Sequence, residues 1–265
     1  MPKSTDGEPL LAPDEPPPFS DSGLPDDSDF LIVVDHASAR IPRRLHNLGL
    51  PAEQLQRHIA WDIGALAVAQ QTGQRLHARV VAQNYSRLVI DCNRDPGVAT
   101  SIPPVSEYVD IPGNLKLTAA QALERRGAIF DPYHAHLRAL LDERRMRGRR
   151  TILVAQHSMT DVFKGIRRDM HAAVLYNRDR RFARLVLEQL RRETELVIAE
   201  NEPYVVSEES DFTIPRHAED RGLPYVSIEI RQDLITDQSG QTAWAERVTR
   251  ALRAAADTFS EPGPQ

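Results

Sequence analysis

The sequence predicts an α/β protein with a mostly parallel central sheet and helices on both faces. Three observations carry that prediction. Short apolar runs rich in β-branched residues recur along the chain, segments of helical character lie between them, and polar residues suited to chemistry stand at the ends of several runs. Buried runs separated by helix-length crossovers suit parallel strands. Ligands in such sheets bind outside the carboxyl ends of the strands.

The elements follow in order. Phe30–Asp35 (FLIVVD) is a buried strand. Ile63–Gln71 is alanine-rich and helix-prone. Arg79–Ala82 and Leu88–Asp91 read as strands, and Thr118–Arg147 as helix broken near Pro132, where the ring removes a backbone donor. Thr151–Gln156 (TILVAQ) is another buried strand. Strands at Ala172–Tyr176, Leu196–Ala199 and Tyr225–Ile230 (YVSIEI) follow, with helices at Arg181–Arg192 and Thr242–Ala255.

The chain has 265 residues, consistent with one folded α/β domain over residues 29–258. Residues 1–28 hold seven prolines and seven acidic residues against one lysine, and read as a disordered acidic tail. Residues 259–265 read the same way. A net charge of −5 argues against a nucleic-acid partner. No apolar run reaches the roughly 18 residues of a membrane span, and no export signal is visible. One cysteine, Cys92, cannot form an internal disulfide. The expected location is therefore cytoplasmic.

No phosphate-binding loop, dinucleotide fingerprint or nucleophile elbow is present. Among nine histidines, His36 and His157 stand apart, because each ends a buried strand and precedes small residues. Each reads either as a hydrogen-bonded strand cap or as a metal ligand. Asp62 reads as a helix N-cap or as an acidic third ligand, and Asp35 as a group that could orient His36. Ser227, Glu229 and Arg231 share one face of their strand. A carboxylate there is costly unless paired or functional, so Glu229 is either an ion-pair partner or a general base. Arg87 and Arg94, with Asn93, either clamp an anionic substrate or pair with Asp91 and Asp95.

Taken together, several collinear segments resemble the N-formylglutamate amidohydrolase family. They are Val34-Asp-His-Ala-Ser38 with Ile41-Pro42, His58-Ile-Ala-Trp-Asp-Ile-Gly-Ala65, Tyr85-Ser-Arg-Leu-Val-Ile-Asp-Cys-Asn-Arg94 and Gln156-His-Ser-Met-Thr160. Val174-Leu-Tyr-Asn-Arg-Asp179, Asn201-Glu-Pro-Tyr204, Arg221-Gly-Leu-Pro-Tyr225 and Ile228-Glu-Ile-Arg-Gln-Asp-Leu234 follow, so the resemblance spans roughly residues 30–255. It implies a zinc-carboxypeptidase-like (phosphorylase/hydrolase-like) fold and one zinc ion per chain. It also implies hydrolysis of N-formyl-L-glutamate to formate and glutamate. By position it makes His36, Asp62 and His157 the metal ligands and Glu229 the general base. Arg87 would aid the developing oxyanion, and Asn93 and Arg94 would hold the substrate carboxylate. The carboxypeptidase-like relatives carry a glutamate three residues after the first histidine; Ala39 stands there, so the acidic ligand must come from elsewhere. Lys164, Arg178 and Arg231 are the candidates for the second carboxylate of glutamate. Two other readings stay open: an amidase for another N-acyl amino acid or small peptide, and a non-catalytic protein that binds metal or an amino acid.

Overall fold

The computed structural model describes residues 9–23 and 27–259. Its strands in chain order are β1 (Phe19–Asp21), β2 (Phe30–Val34), β3 (Arg79–Gln83), β4 (Val105–Ser106), β5 (Val109–Asp110), β6 (Ile152–Met159), β7 (Val162–Phe163), β8 (Ile166–Arg167), β9 (Ala172–Leu175), β10 (Ile198–Glu200) and β11 (Tyr225–Arg231). The α-helices are α1 (Ala52–Leu55), α2 (Ala65–Leu76), α3 (Ala119–Arg125), α4 (Asp131–Met146), α5 (Arg181–Leu190) and α6 (Gln238–Thr258).

Seven strands form one sheet in the order β1-β3-β2-β6-β11-β9-β10. The four central strands β3, β2, β6 and β11 run parallel. β9 runs antiparallel to β11, and β10 follows β9 in parallel. The central strands are buried on both sides and apolar almost throughout, as a doubly covered sheet requires. Alternate residues feed two cores. Ile32, Val34, Val154, Val226 and Ile228 pack with α2, α5 and α6 on one face. Leu31, Val33, Leu153, Ala155 and Tyr225 pack against Tyr133, Leu137 and Leu140 of α4 on the other. The mostly parallel sheet with helices on both faces is thus the architecture observed. Among the described residues, no helix is long and apolar enough to cross a membrane.

Three expectations are corrected. Leu88–Asp91 is buried but forms turns instead of a strand. Its backbone is satisfied from the side: Asn114 Nδ2 donates to the Leu88 carbonyl (2.9 Å), Arg125 to that of Val89 (3.1 Å), and the Asp91 amide to Ser101 (2.7 Å). Thr118–Arg147 does not break at Pro132. A π-helical turn, Arg126–Phe130, joins α3 to α4, and Pro132 falls in the first turn of α4, where a missing donor costs little.

The third correction concerns the termini. Residues 9–23 belong to the fold. β1 pairs with β3, Leu10 is buried, and the carbonyls of Pro16 and Pro17 accept from Tyr85 and Asn84. Proline lowers the entropy of the unfolded chain, so a proline-rich segment needs less contact to stay ordered. Residues 1–8 and 24–26 of the expected tail lie outside the described residues. At the other end Phe259 is buried against Phe182, so the body extends to it; residues 260–265 lie outside the described residues.

Candidate metal and catalytic centre

Parallel strands carry their last residues to one end of the sheet, and the site is built there. On the face toward α4 the apolar alternation of β6 (Leu153, Ala155) continues into His157. On β11 the same face carries Tyr225, Ser227 and Glu229, and Glu229 is the register partner of His157. β2 ends at Val34, and the turn after it presents Asp35 and His36.

Asp62 arrives on the loop before α2. Its amide donates to the His36 carbonyl (2.9 Å), and the Ser158 hydroxyl donates to the Ile63 carbonyl (2.8 Å), so the loop is tied to both strands. The cap position of α2 is Gly64 at φ +79°, and a Cβ there would lie 2.2 Å from the Ile235 carbonyl oxygen. Glycine is required by both conformation and space. The Asp62 side chain therefore caps no helix. Its Oδ2 lies 2.9 Å from Nδ1 of His157 and 3.4 Å from Nδ1 of His36.

His36, Asp62 and His157 thus form a buried trio whose donor atoms lie within 4.8 Å of one another. The outer nitrogen of His36, Nε2, bonds Asp91 Oδ1 at 2.7 Å, so Asp91, not Asp35, orients this ring. Asp35 takes hydrogen bonds from Tyr133 (2.7 Å) and Thr213 (2.8 Å) and stands 3.8 Å from Nε2 of His157. Carboxylates behind imidazoles are the usual support of metal-binding histidines.

Charge in this corner is dense. Burial opposes ionisation of Asp62, but His36 and His157 outweigh it and hold the carboxyl far below the usual range. Asp91 is held equally low, against its burial, by Arg87 and His36. The His157 imidazole, despite burial, is pushed up to about 10 by its bond to Asp62 and the field of Asp62 and Glu229. Glu229 is shifted upward by burial, which the nearby His157 only partly offsets. The buried polar atoms of this corner without a hydrogen-bond partner include Nδ1 of His36, Oε2 of Glu229, Oδ2 of Asp35 and Nε2 of His58. Two imidazole nitrogens and one carboxylate, one nitrogen partnerless in this geometry, fit a zinc site with three protein ligands.

The trio and Glu229 open into a cavity of about 500 Å³. Arg87, Asn93 and Arg94 line it. Arg87 grips Asp91 Oδ2 through Nε (3.2 Å) and a terminal nitrogen (2.7 Å), and lies 3.6 Å from Asp62. Of the two readings of Arg87, the structure contains the ion pair with Asp91, and the side chain also lines the cavity. Asn93 is largely engaged in bracing a loop: its oxygen accepts from the amides of Phe212 (3.1 Å) and Thr213 (3.0 Å), and its nitrogen donates to Asp211 (2.8 Å). Arg94 donates to the Ser210 carbonyl and stands 3.9 Å from Asp91.

The three cations expected to receive a second carboxylate are elsewhere. Arg231 is buried but staples its own neighbourhood, pairing with Asp233 (2.7 Å) and donating to the carbonyls of Arg168, Asp169 and Met170. Arg178 is exposed and paired with Glu219 (3.0 Å). Lys164 is an exposed residue between β7 and β8, its ammonium over the rings of Tyr108 and Phe163. None of the three lines the cavity.

Several cavity residues escaped sequence reasoning. Asp91 was read at the end of an expected strand and as an ion-pair partner, with no role toward His36. His58, Glu107 and Tyr204 also line the cavity. Of these, His58 and Tyr204 stood in segments that carried the family resemblance without a role attached.

A sequence model of the N-formylglutamate amidohydrolase family matches residues 28–236. Among solved structures, a gene product of Agrobacterium tumefaciens is 36% identical and aligns over 94% of this chain and 98% of that one, with a TM-score of 0.91. An N-formylglutamate amidohydrolase of Ralstonia eutropha JMP134 is 20% identical over 91% of this chain and 97% of that one, with a TM-score of 0.66, a likeness of fold. No curated protein matches.

Proposed function

The chain belongs to the N-formylglutamate amidohydrolase family, and from that premise we propose that it is a zinc-dependent hydrolase cleaving the amide of an N-acylated amino acid, with N-formyl-L-glutamate as the substrate. The observation that carries the reading is the pairing of His157 with Glu229 across β6 and β11: a trio of donor atoms stands beside a buried carboxylate with a free oxygen.

His36, Asp62 and His157 would hold the ion. A zinc ion bound there supplies Lewis acidity, polarising the carbonyl and bringing the pKa of water toward about 7. Glu229, lifted by burial, accepts the proton of the attacking water and returns it to the amine nitrogen as the C–N bond breaks. The water oxygen ends in formate and the amine leaves as free amino acid. Arg87 adds a fixed positive charge 3.6 Å from Asp62, which would stabilise the charge that the carbonyl oxygen gains. Arg94 and the remaining N–H of Asn93 orient the α-carboxylate, which turns encounter into a fixed attack geometry.

One observation favours a broader amino-acid preference as a second reading. Arg87 and Arg94 are the two arginines among the described residues lining the cavity, and no lysine joins them. The second carboxylate of glutamate thus meets no dedicated cation there.

The test is formate release from N-formyl-L-glutamate and a panel of N-formyl and N-acetyl amino acids, before and after chelation and zinc return. Chelator-sensitive turnover with glutamate preferred supports the first reading. Equal turnover of neutral side chains supports the second. No turnover of any member by the zinc-loaded protein would sink both.

A further inference from the structure

Arg168 is buried, yet among the described residues none of the ion pairs involves it. A buried guanidinium without a counter-ion is costly unless its donors and its charge are used. Its charge lies between two rings, 5.2 Å from the centroid of Phe163 and 4.9 Å from that of Tyr204. One terminal nitrogen donates to the Thr160 carbonyl (3.2 Å) and the other to the Tyr204 hydroxyl (2.7 Å).

That last bond has a directional consequence. A guanidinium only donates, so the phenol oxygen must accept from it. The phenolic O–H is left over as a donor, on a residue that lines the same cavity as His36, His157 and Glu229. Tyr204 also lies within electrostatic reach of both Glu229 and Arg87. Tyr204 is 40% exposed, and its partial burial together with the Glu229 carboxylate raises its pKa, so the proton stays in place at neutral pH. The backbone is held upstream of the ring: the Asn201 side chain accepts from the Tyr176 amide (2.9 Å), which anchors the Asn201-Glu-Pro-Tyr204 turn to the end of β9.

We propose that Tyr204 is a further catalytic residue of this site, donating its phenolic hydrogen bond to the carbonyl oxygen of the scissile amide as negative charge builds there, with Arg168 as the positioning residue that fixes the phenol. The inference rests on the amide-hydrolase reading above. It adds a donor that Arg87 does not replace, because the fork of Arg87 is largely engaged by Asp91. A hydrogen bond that strengthens only as charge develops raises kcat and leaves KM nearly untouched.

The experiment uses the zinc-loaded full chain and N-formyl-L-glutamate, with formate release as the readout. Tyr204→Phe keeps the ring and removes only the hydroxyl. The expected result is a loss of about 100-fold in kcat, the scale of one lost oxyanion donor, with zinc content unchanged. KM should move by no more than about threefold. Arg168→Met, with Arg168→Lys as a second variant if the first does not fold, should lower kcat alone but not further in a Tyr204→Phe background, since its effect passes through the phenol. An active wild type with an equally active Tyr204→Phe overturns the proposal and leaves the amide-hydrolase reading standing. A change confined to KM also overturns it, because it would make Tyr204 a ground-state binding group. A wild type that turns over no N-formyl amino acid removes the parent reading and this one with it.

Discussion

Asp91 bonds Nε2 of His36 at 2.7 Å, while Nδ1 faces the Asp62 carboxylate at 3.4 Å without a hydrogen bond, and each carboxylate has its own task. Asp91 also anchors Arg87 and accepts from the Asn93 amide, so a single side chain sets the ring of a proposed ligand, a cavity cation and the start of the Asn93–Arg94 loop. Asp91→Asn preserves shape and removes the charge. It should weaken zinc binding about 10- to 100-fold, as other losses behind metal-binding histidines do. Competition with a chromophoric chelator would measure this, and unchanged affinity would mean that His36 needs no support from Asp91. At this scale His36, His157 and Glu229 stood out as polar side chains on or at the ends of apolar runs, whereas Asp62 read equally as a helix cap and only the resemblance made it a ligand; the structure brings all four to one cavity. Partners were less legible. Asp35 is next to His36 in sequence but lies beside His157 in space, since successive residues leave a strand on opposite faces. Lys164, Arg178 and Arg231 carried the right charge, but Arg178 and Arg231 are matched by Glu219 and Asp233, acids whose positions only the folded chain reveals.

The elements that matter most to the site are irregular. The loop carrying Asp62 is shaped by Gly64, whose left-handed conformation starts α2 against the Ile235 carbonyl. Gly64→Ala combines φ strain with a steric clash. It should cost on the order of 1–3 kcal/mol of stability and shift Asp62 enough to lower zinc stoichiometry. Thermal unfolding paired with elemental analysis would show it; a variant of wild-type stability and full zinc would contradict this role for the glycine. Regular elements were readable from periodicity, and β2, β3, β6, β9 and β11 lie close to where their apolar runs placed them. The turn at Leu88–Asp91 was not, since four buried apolar-rich residues look alike whether a neighbouring strand or the side chains of Asn114 and Arg125 satisfy the backbone. β1 was hidden for the opposite reason, its partner β3 being some sixty residues away in a chain segment that composition alone marked as a tail.

Across the whole molecule, stability should depend on a buried histidine pair that takes no part in the chemistry. His134 Nε2 lies 2.8 Å from the Cys92 carbonyl, which can only accept, so that nitrogen carries the proton. Nδ1 of His134 then accepts from Nε2–H of His217 at 2.9 Å, and the pair is neutral. Burial holds His134 far below its ordinary value and takes His217 down to about 3. Folded values below the unfolded one mean that the unfolded chain binds more protons. The contribution is therefore complete above about pH 6.5 and declines as pH falls toward the folded values, approaching about 1.4 kcal/mol per pH unit for each histidine. His217→Gln should flatten the fall in urea midpoint between pH 6.5 and 5; an unchanged acid slope would contradict the neutral pair. Because His134 grips the carbonyl beside Asn93, acid loosening should begin at the loop that carries Asn93 and Arg94.

The proposed chemistry depends on the His36, Asp62 and His157 trio and the Glu229 carboxylate beside it. The most direct test is the rate of formate release from N-formyl-L-glutamate by Glu229→Gln, measured on protein shown to hold one zinc per chain. The account predicts full zinc content and a rate at least about 100-fold below wild type, the range that a lost general base produces. A zinc-loaded Glu229→Gln enzyme that works at the wild-type rate would contradict it.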